Sequence, residues 1–189
     1  MEGLGFPKEG NLDVHQWIEL FGKVVDREIL ESLMVRLDLF KSQNKTDLWG
    51  SDFLMALAKK LVAGASSLKE LRSRDLLTEI KMEFLEDISL LDRWLPTTFL
   101  LPNKHKTKIH YAWGKDPWIE SKLQDFLGMK EVPKILNGKI SLTLHLLAPN
   151  RRPVQVTKDL ASFWKNTYPE VRKELSRRYP RHPWPENPS

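Results

Sequence analysis

The chain contains no cysteine, which excludes disulfides, thiolate metal sites and a cysteine nucleophile. A reducing, cytoplasmic setting is the simpler expectation. No apolar run reaches the roughly 18 residues of a membrane-spanning helix, so no membrane partner is expected. The opening segment, MEGLGFPKEG, lacks a basic stretch followed by an apolar one and does not read as a secretory leader. The glycine-rich loop ending in Lys and Ser or Thr that wraps nucleotide phosphates is missing. So is the Gly-x-Ser-x-Gly elbow of serine hydrolases. No two of His15, His105, His110, His145 and His182 stand at the i, i+4 spacing of a helical zinc site. Glu83, Glu86 and Asp87 read as one solvated helix face. The expectation is a chain with no catalytic residue, no metal and no cofactor of its own.

Charge of one sign is scarce locally rather than overall. Residues 1–102 carry 13 basic and 17 acidic side chains, a net of −4. Residues 103–149 net +4 and residues 150–189 net +5. An acidic first half followed by a basic second half points to a polyanionic or acidic partner. It also allows the two halves to attract each other.

Periodicity divides the chain a few residues earlier, at Pro96. From Asp13, a candidate cap, Val14, Trp17, Ile18, Phe21, Val25, Ile29, Leu33, Leu37 and Phe40 recur at helical spacing. Breaks are expected at Gly22 and over 41–45. A second helix is predicted over 51–62, with Phe53, Leu54, Leu57 and Leu61 inward and Gly64 at its end. Ser67 and Glu70 form a capping box. The apolar stripe resumes with Leu68 and Leu71, breaks near Arg74 or Asp75, and runs to Leu91 before Pro96 stops it. Beyond Pro96 the period becomes two. Strands are predicted over 98–101, 108–113, 140–146 and 152–156, with a turn at Asn137-Gly138 and a hairpin through 149–153. Asp116-Pro117 predicts a helix start, with Ile119, Leu123, Phe126 and Leu127 buried and Gly128 closing it. Thr157 caps a later helix, and Thr167 to Glu170 reads as a second capping box. The prolines at 180, 183, 185 and 188 then impose an extended tail. The fold class expected is α+β: an α-helical unit over 1–95, then over 96–189 a small, mainly antiparallel sheet with packed helices and a Pro-rich tail.

Two groups of side chains carry functional expectations. Lys106 and Lys108, beside Lys104, His105 and His110, make a basic strand edge. Arg151 and Arg152 mark a hairpin tip, and Arg172, Lys173, Arg177 and Arg178 lie on the last helix. These cations suit phosphate contacts. The plain alternative for the helix is stabilisation of its negative end and pairing with nearby acids. Trp164, Tyr168, Tyr179 and Trp184 are interleaved with the basic residues. They read as core or domain-docking groups ahead of base platforms. His110 and His145 can share a polar sheet face, where a metal or general-base role is the minor reading.

The runs Arg152-Pro-Val-Gln-Val-Thr-Lys-Asp-Leu-Ala-Ser-Phe-Trp164 and Tyr168-Pro-Glu-Val-Arg-Lys-Glu-Leu175 look like family signatures. So does Arg178-Tyr-Pro-Arg-His-Pro-Trp-Pro-Glu-Asn-Pro188. With Phe126-Leu-Gly128 and Leu144-His-Leu-Leu-Ala-Pro149, they resemble the C-terminal domain of HrpB-type bacterial DExH helicases over roughly residues 90–188. The resemblance implies a fragment whose motor, two RecA-like domains using ATP and magnesium, lies upstream. It implies a monomeric accessory module that packs on those motor domains and guides single-stranded RNA or DNA. The competing expectation is a purely structural docking domain that never touches nucleic acid. No catalytic residue of the family has a matching position here.

Overall fold

A computed structural model describes residue 22 and residues 26–44, 51–63, 65 and 67–189. The chain divides into two compact units, Met1–Leu95 and Pro96–Ser189. Everything expected of residues 13–21, 23–25, 45–50 and Gly64 lies outside the described residues.

The first unit is helical. Helix α1 spans Arg27–Asn44, and Asp26 Oδ1 accepts a hydrogen bond from the Ile29 amide at 3.1 Å. Its buried stripe is Leu30, Leu33, Met34, Leu37 and Phe40. Ile29, expected on that stripe, is 43% exposed. The apolar arc is centred one position later, on Leu30. Helix α2 spans Ser51–Val62, with Leu57 and Ala58 buried; the side chains of Phe53, Leu54 and Leu61 lie outside the described residues.

Helices α3 (Leu68–Ser73), α4 (Leu76–Glu83) and α5 (Leu85–Trp94) follow in quick succession. Ser67 caps α3 by accepting from the Glu70 amide at 3.2 Å. The chain breaks at Arg74 and restarts at Asp75, whose carboxylate accepts from the Thr78 amide. Hydrogen bonding from Thr78 holds the Asp75 carboxyl below the ordinary aspartate range. Helix α1 packs on α5, α2 on α4, and α4 on α5. Inside this unit Arg36 is buried, and its guanidinium donates to the Leu95 carbonyl at 2.7 Å and to Asp92.

The second unit contains seven short strands among its described residues. They are β1 (Thr98–Leu100), β2 (Lys106–His110), β3 (Trp118–Lys122), β4 (Lys134–Ile135), β5 (Ile140–Ser141), β6 (Thr143–Leu147) and β7 (Pro153–Thr157). Five of them form one sheet in the order β1-β2-β3-β6-β7. The pairs β1·β2, β2·β3 and β6·β7 are antiparallel, and β3·β6 is parallel. Strands β4 and β5 form a separate hairpin. It turns through Leu136, Asn137 and Gly138, all at positive φ. The fold class is α+β.

Several expectations need correction. No helix starts at Asp116: residues 118–122 are the central strand β3, followed by a short 3₁₀ turn, Leu123–Phe126. A helix-capping signal is worth about 1 kcal/mol. Strand β3 instead satisfies two ladders, against β2 and β6, whose edges would otherwise be open. The expected burial holds in part, because Ile119, Leu123 and Phe126 are each 0% exposed. Strand alternation accounts for it: Ile119 and Ser121 point inward while Trp118, Glu120 and Lys122 point out.

The strand expected over 108–113 occupies Lys106–His110, so Tyr111 and Trp113 lie in the loop beyond it. The strand expected over 140–146 is two strands, interrupted at Leu142, whose amide bonds Pro133 O. Asp159, not Thr157, caps the next helix by accepting from the Ser162 amide at 2.9 Å.

Thr167 makes no capping bond. Helix α6 (Leu160–Ser162) runs through a π-helical turn, Phe163–Thr167, directly into α7 (Tyr168–Arg178). Pro169 has no N–H to give, and the wider turn absorbs the missing bond.

The Pro-rich tail leaves the helix and folds back on its own unit. Tyr168 Oη donates to Pro185 O at 2.8 Å, and the Gly128 amide donates to Pro188 O at 2.7 Å.

Candidate nucleic-acid interface

The five-stranded sheet has one buried face and one open face. Pairing register assigns residues to each, because directly opposed residues share a face. Ile109, Ile119, Leu144 and Leu146 point inward and are each 0% exposed. The other face carries Thr98 and Leu100 from β1, and Lys106, Lys108 and His110 from β2. It continues with Trp118, Glu120 and Lys122 from β3, Thr143 and His145 from β6, and Val156 from β7. All of these are exposed or half-buried.

Three rings stand in a row across the middle of the open face. His110 stacks on Trp118 with centroids 5.0 Å apart and planes 11° from parallel. His145, from the strand on the other side of β3, stacks with Trp118 at 5.7 Å and 18°. The row arises because His110 is paired with Trp118 across the β2·β3 ladder, and His145 is one diagonal step away across β3·β6. Lys115 Nζ sits 5.6 Å from the Trp118 ring centroid, within cation–π reach. Glu120 lies 4.0 Å from His145 Nδ1. His110 and His145 do share a face, as their alternation predicts, but Trp118 separates them. Among the described residues, no three His, Cys, Asp or Glu side chains gather into a metal site.

Cations gather at one end of this face. Strand β2 begins there with Lys106, β3 ends there with Lys122, and the β6–β7 hairpin presents Arg151 and Arg152. The hairpin closes through Arg151 N to Ala148 O at 2.8 Å and Ala148 N to Arg152 O at 2.9 Å. Arg151 takes φ 65°, which fixes the tip. Among the described residues, Lys106, Lys122, Arg151 and Arg152 make no ion pair. A polar cavity of about 360 Å³ opens here, lined by His105, Lys122 and Arg151 together with Glu120 and Asp125. Asp125 accepts from Asn103 Nδ2 at 2.8 Å and from Ser121 Oγ.

The remaining sequence candidates lie on α7 and the tail. Arg172 Nε donates to Trp184 O at 2.8 Å, and its Nη2 reaches Glu186 at 3.2 Å. Lys173 pairs with Glu170 at 2.8 Å. Arg177 and Arg178 are exposed at the end of the helix. Trp164 and Tyr168 are buried and meet edge-to-face at 5.1 Å, so no separate domain can reach them. Trp164 Nε1 donates to Met129 O, and Trp184 Nε1 donates to Tyr179 O at 2.9 Å. Trp164, Tyr168 and Trp184 thus each donate a side-chain hydrogen bond inside their own unit, and the Tyr179 ring meets His182 edge-on at 6.3 Å. Burial of the Tyr168 phenol raises its pKa above the ordinary value.

Sequence reasoning missed Trp118 and Lys122 as members of the site because it placed them on a helix. The signal that would have found them is the two-residue alternation of Trp118, Glu120 and Lys122 against Ile119, Ser121 and Leu123.

A family described as ATP-dependent helicase C-terminal matches residues 57–188. The ATP-dependent RNA helicase HrpB of Escherichia coli (strain K12) is 36% identical over 131 residues. That match covers 68% of this chain and 16% of the relative. Two crystal structures are similar. One, of the E. coli DExH-box NTPase HrpB, has a TM-score of 0.72 at 32% identity and covers 84% of this chain and 20% of the other. The second, of the E. coli DEAH/RHA helicase HrpB, has a TM-score of 0.66 at 28% identity and covers 96% and 24%. The chain thus corresponds to less than a quarter of the length of these relatives.

Proposed function

The chain belongs to the HrpB family of ATP-dependent helicase C-terminal domains, and from that premise we propose that it is a non-catalytic accessory module contacting single-stranded nucleic acid. The observation that carries this reading is the open sheet face, with a ring row in its middle and, among the described residues, unpaired cations at its end. Lys106, Lys122, Arg151 and Arg152 would neutralise phosphates, and Lys108 and Lys115 lie along the same path. Lys106, Lys122, Arg151 and Arg152 make no ion pair among the described residues, so they cost little to organise on binding, and each phosphate neutralised releases a counterion. Arg177 and Arg178 offer further charge. Arg172 and Lys173 are already committed within the unit and contribute less than their sequence position suggests. ATP, magnesium and hydrolysis belong in this reading to a motor outside the chain, because no phosphate loop exists here.

A second reading concerns the helical unit. Met82 is 75% exposed and Leu85 62% exposed, which suits packing against another protein surface. In this reading the motor domains of the same polypeptide supply that surface. The two readings assign different faces and are compatible.

Fluorescence titration of the chain with single-stranded RNA at several salt concentrations tests the first reading. Binding that weakens steeply with salt supports it. Affinity weaker than millimolar at low salt, or indifference to charge reversal at Lys106, Lys122, Arg151 and Arg152, defeats it. Adding the motor domains in trans tests the second: a complex that forms without RNA and is abolished in Met82→Asp supports docking.

A further inference from the structure

The cations on the open face do not explain its apolar members. Val156 is 54% exposed and Leu100 56% exposed, on the two outer strands of the same face. Val156 pairs directly with His145 across the β6·β7 ladder, so its side chain extends the ring row. The result is one continuous band, His110–Trp118–His145–Val156, crossing strands β2, β3, β6 and β7.

We propose that this band is a seat for unpaired nucleobases, which makes the module selective for single strands by their bases as well as their phosphates. The inference rests on the nucleic-acid reading above and adds the ligand's chemistry to it. His110 and His145 stack against Trp118 from the two flanking strands and Lys115 Nζ lies over its ring, so little of its face is left for a base to lie flat on. The surfaces left are the ring edges and the exposed isopropyl group of Val156. Bases meet ring edges in edge-to-face geometry and cover Val156 by simple apolar contact. Neither contact reads base identity. In a duplex the bases are stacked and paired, and their faces cannot reach this band.

The charge around the band selects the occupant. Lys106, Lys108, Lys115 and Lys122 lie beside it, and Glu120, the one acid that pairing places on this face among the described residues, faces His145. Lysine is depleted at the core of protein–protein interfaces. A polyanion that carries flat apolar groups satisfies both properties of the surface.

The test compares three probes on the 189-residue chain: a single-stranded oligouridylate, an abasic oligonucleotide of the same length, and a duplex of that length. The wild-type chain is expected to prefer the base-bearing strand over the abasic one by about threefold or more. The double variant His145→Ala, Val156→Ser should lose that preference while keeping its salt dependence. His145→Phe should retain it, because stacking rather than a proton is the requirement. Equal binding of abasic and base-bearing strands by the wild type, with normal salt dependence, overturns the base seat and leaves the phosphate reading standing. Tighter binding of the duplex also overturns it. Failure to bind any probe at low salt overturns both. Should the double variant unfold by circular dichroism, the wild-type probe series and His145→Phe still decide the matter.

Discussion

Arg172 donates through Nε to the main-chain carbonyl of Trp184 at 2.8 Å. A side chain that the sequence offers as one of the phosphate-contacting cations of the last helix ties the Pro-rich tail to α7. The tail prolines cannot supply N–H groups for a ladder. Side-chain donors from α7 hold the tail in their place, with Arg172 bonded to Trp184 O and Tyr168 to Pro185 O. We expect Arg172→Ala to destabilise the second unit by about 1–2 kcal/mol, measured by urea unfolding. RNA affinity should change less than it does for Arg151→Ala.

Tyr168 gives a pH signature. Burial raises its folded pKa, while the unfolded value stays near about 10. The folded state then holds the phenolic proton more tightly than the unfolded state. Stability from this group is complete below about pH 10 and is lost as pH rises through the folded pKa. Urea midpoints followed upward from about pH 9 should fall for the wild type and fall less for Tyr168→Phe. That variant also loses the bond to Pro185 O, costing about 0.5–1.5 kcal/mol at neutral pH.

In the helical unit, the buried Arg36 and the half-exposed Asp92 form an asymmetric pair. Removing the acid leaves a buried cation without one of its partners. Asp92→Ala is expected to cost about 1–3 kcal/mol, below the loss for a fully buried pair because water reaches the carboxylate. Arg36→Met in the Asp92→Ala background should recover part of the loss. A double-mutant cycle in urea would show whether the coupling exists.

Gly138 sits at φ +82°, and a Cβ added there would meet nothing within 4 Å. Gly138→Ala therefore tests backbone conformation alone. The left-handed region costs an alanine about 1–2 kcal/mol, and we expect that much destabilisation in thermal or urea melts, with no change in RNA binding.

Charge removal at the rim should separate binding from folding. Lys106→Ala, Lys122→Ala and Arg151→Ala touch no ion pair among the described residues. Each is expected to leave the unfolding midpoint nearly unchanged. Wherever the deleted cation neutralises a phosphate, the slope of log affinity against log salt should flatten by about 0.7. An unchanged slope in all three would remove this rim from the interface.

Much of the fold was legible where one signal dominated. Pro96 divides helical from alternating periodicity, and Ser67 caps α3, because these depend on neighbours in sequence. Asn137-Gly138 turns the chain for the same reason. Local signals failed where a distant partner was stronger. Asp116-Pro117 is a good helix start in isolation, and Thr167 is a good cap. The first yielded to two strand ladders, and the second to a helix that was already running through Phe163.

The candidate site divides the same way. Lys106, Lys108, Arg151 and Arg152 were visible because charge at a strand edge or hairpin tip is a property of short segments. Of the row His110–Trp118–His145, alternation put the two histidines on one face, but Trp118 between them was not visible, because the row comes from three strands brought together by one antiparallel and one parallel pairing. By itself, the amino-acid order determined much of which residues are buried, where helix yields to strand, and that positive charge accumulates late in the chain. Only the tertiary structure decided which cations stay available and which are consumed holding the tail. That choice depends on distances between segments far apart in the chain, and neither residue type nor periodicity encodes them.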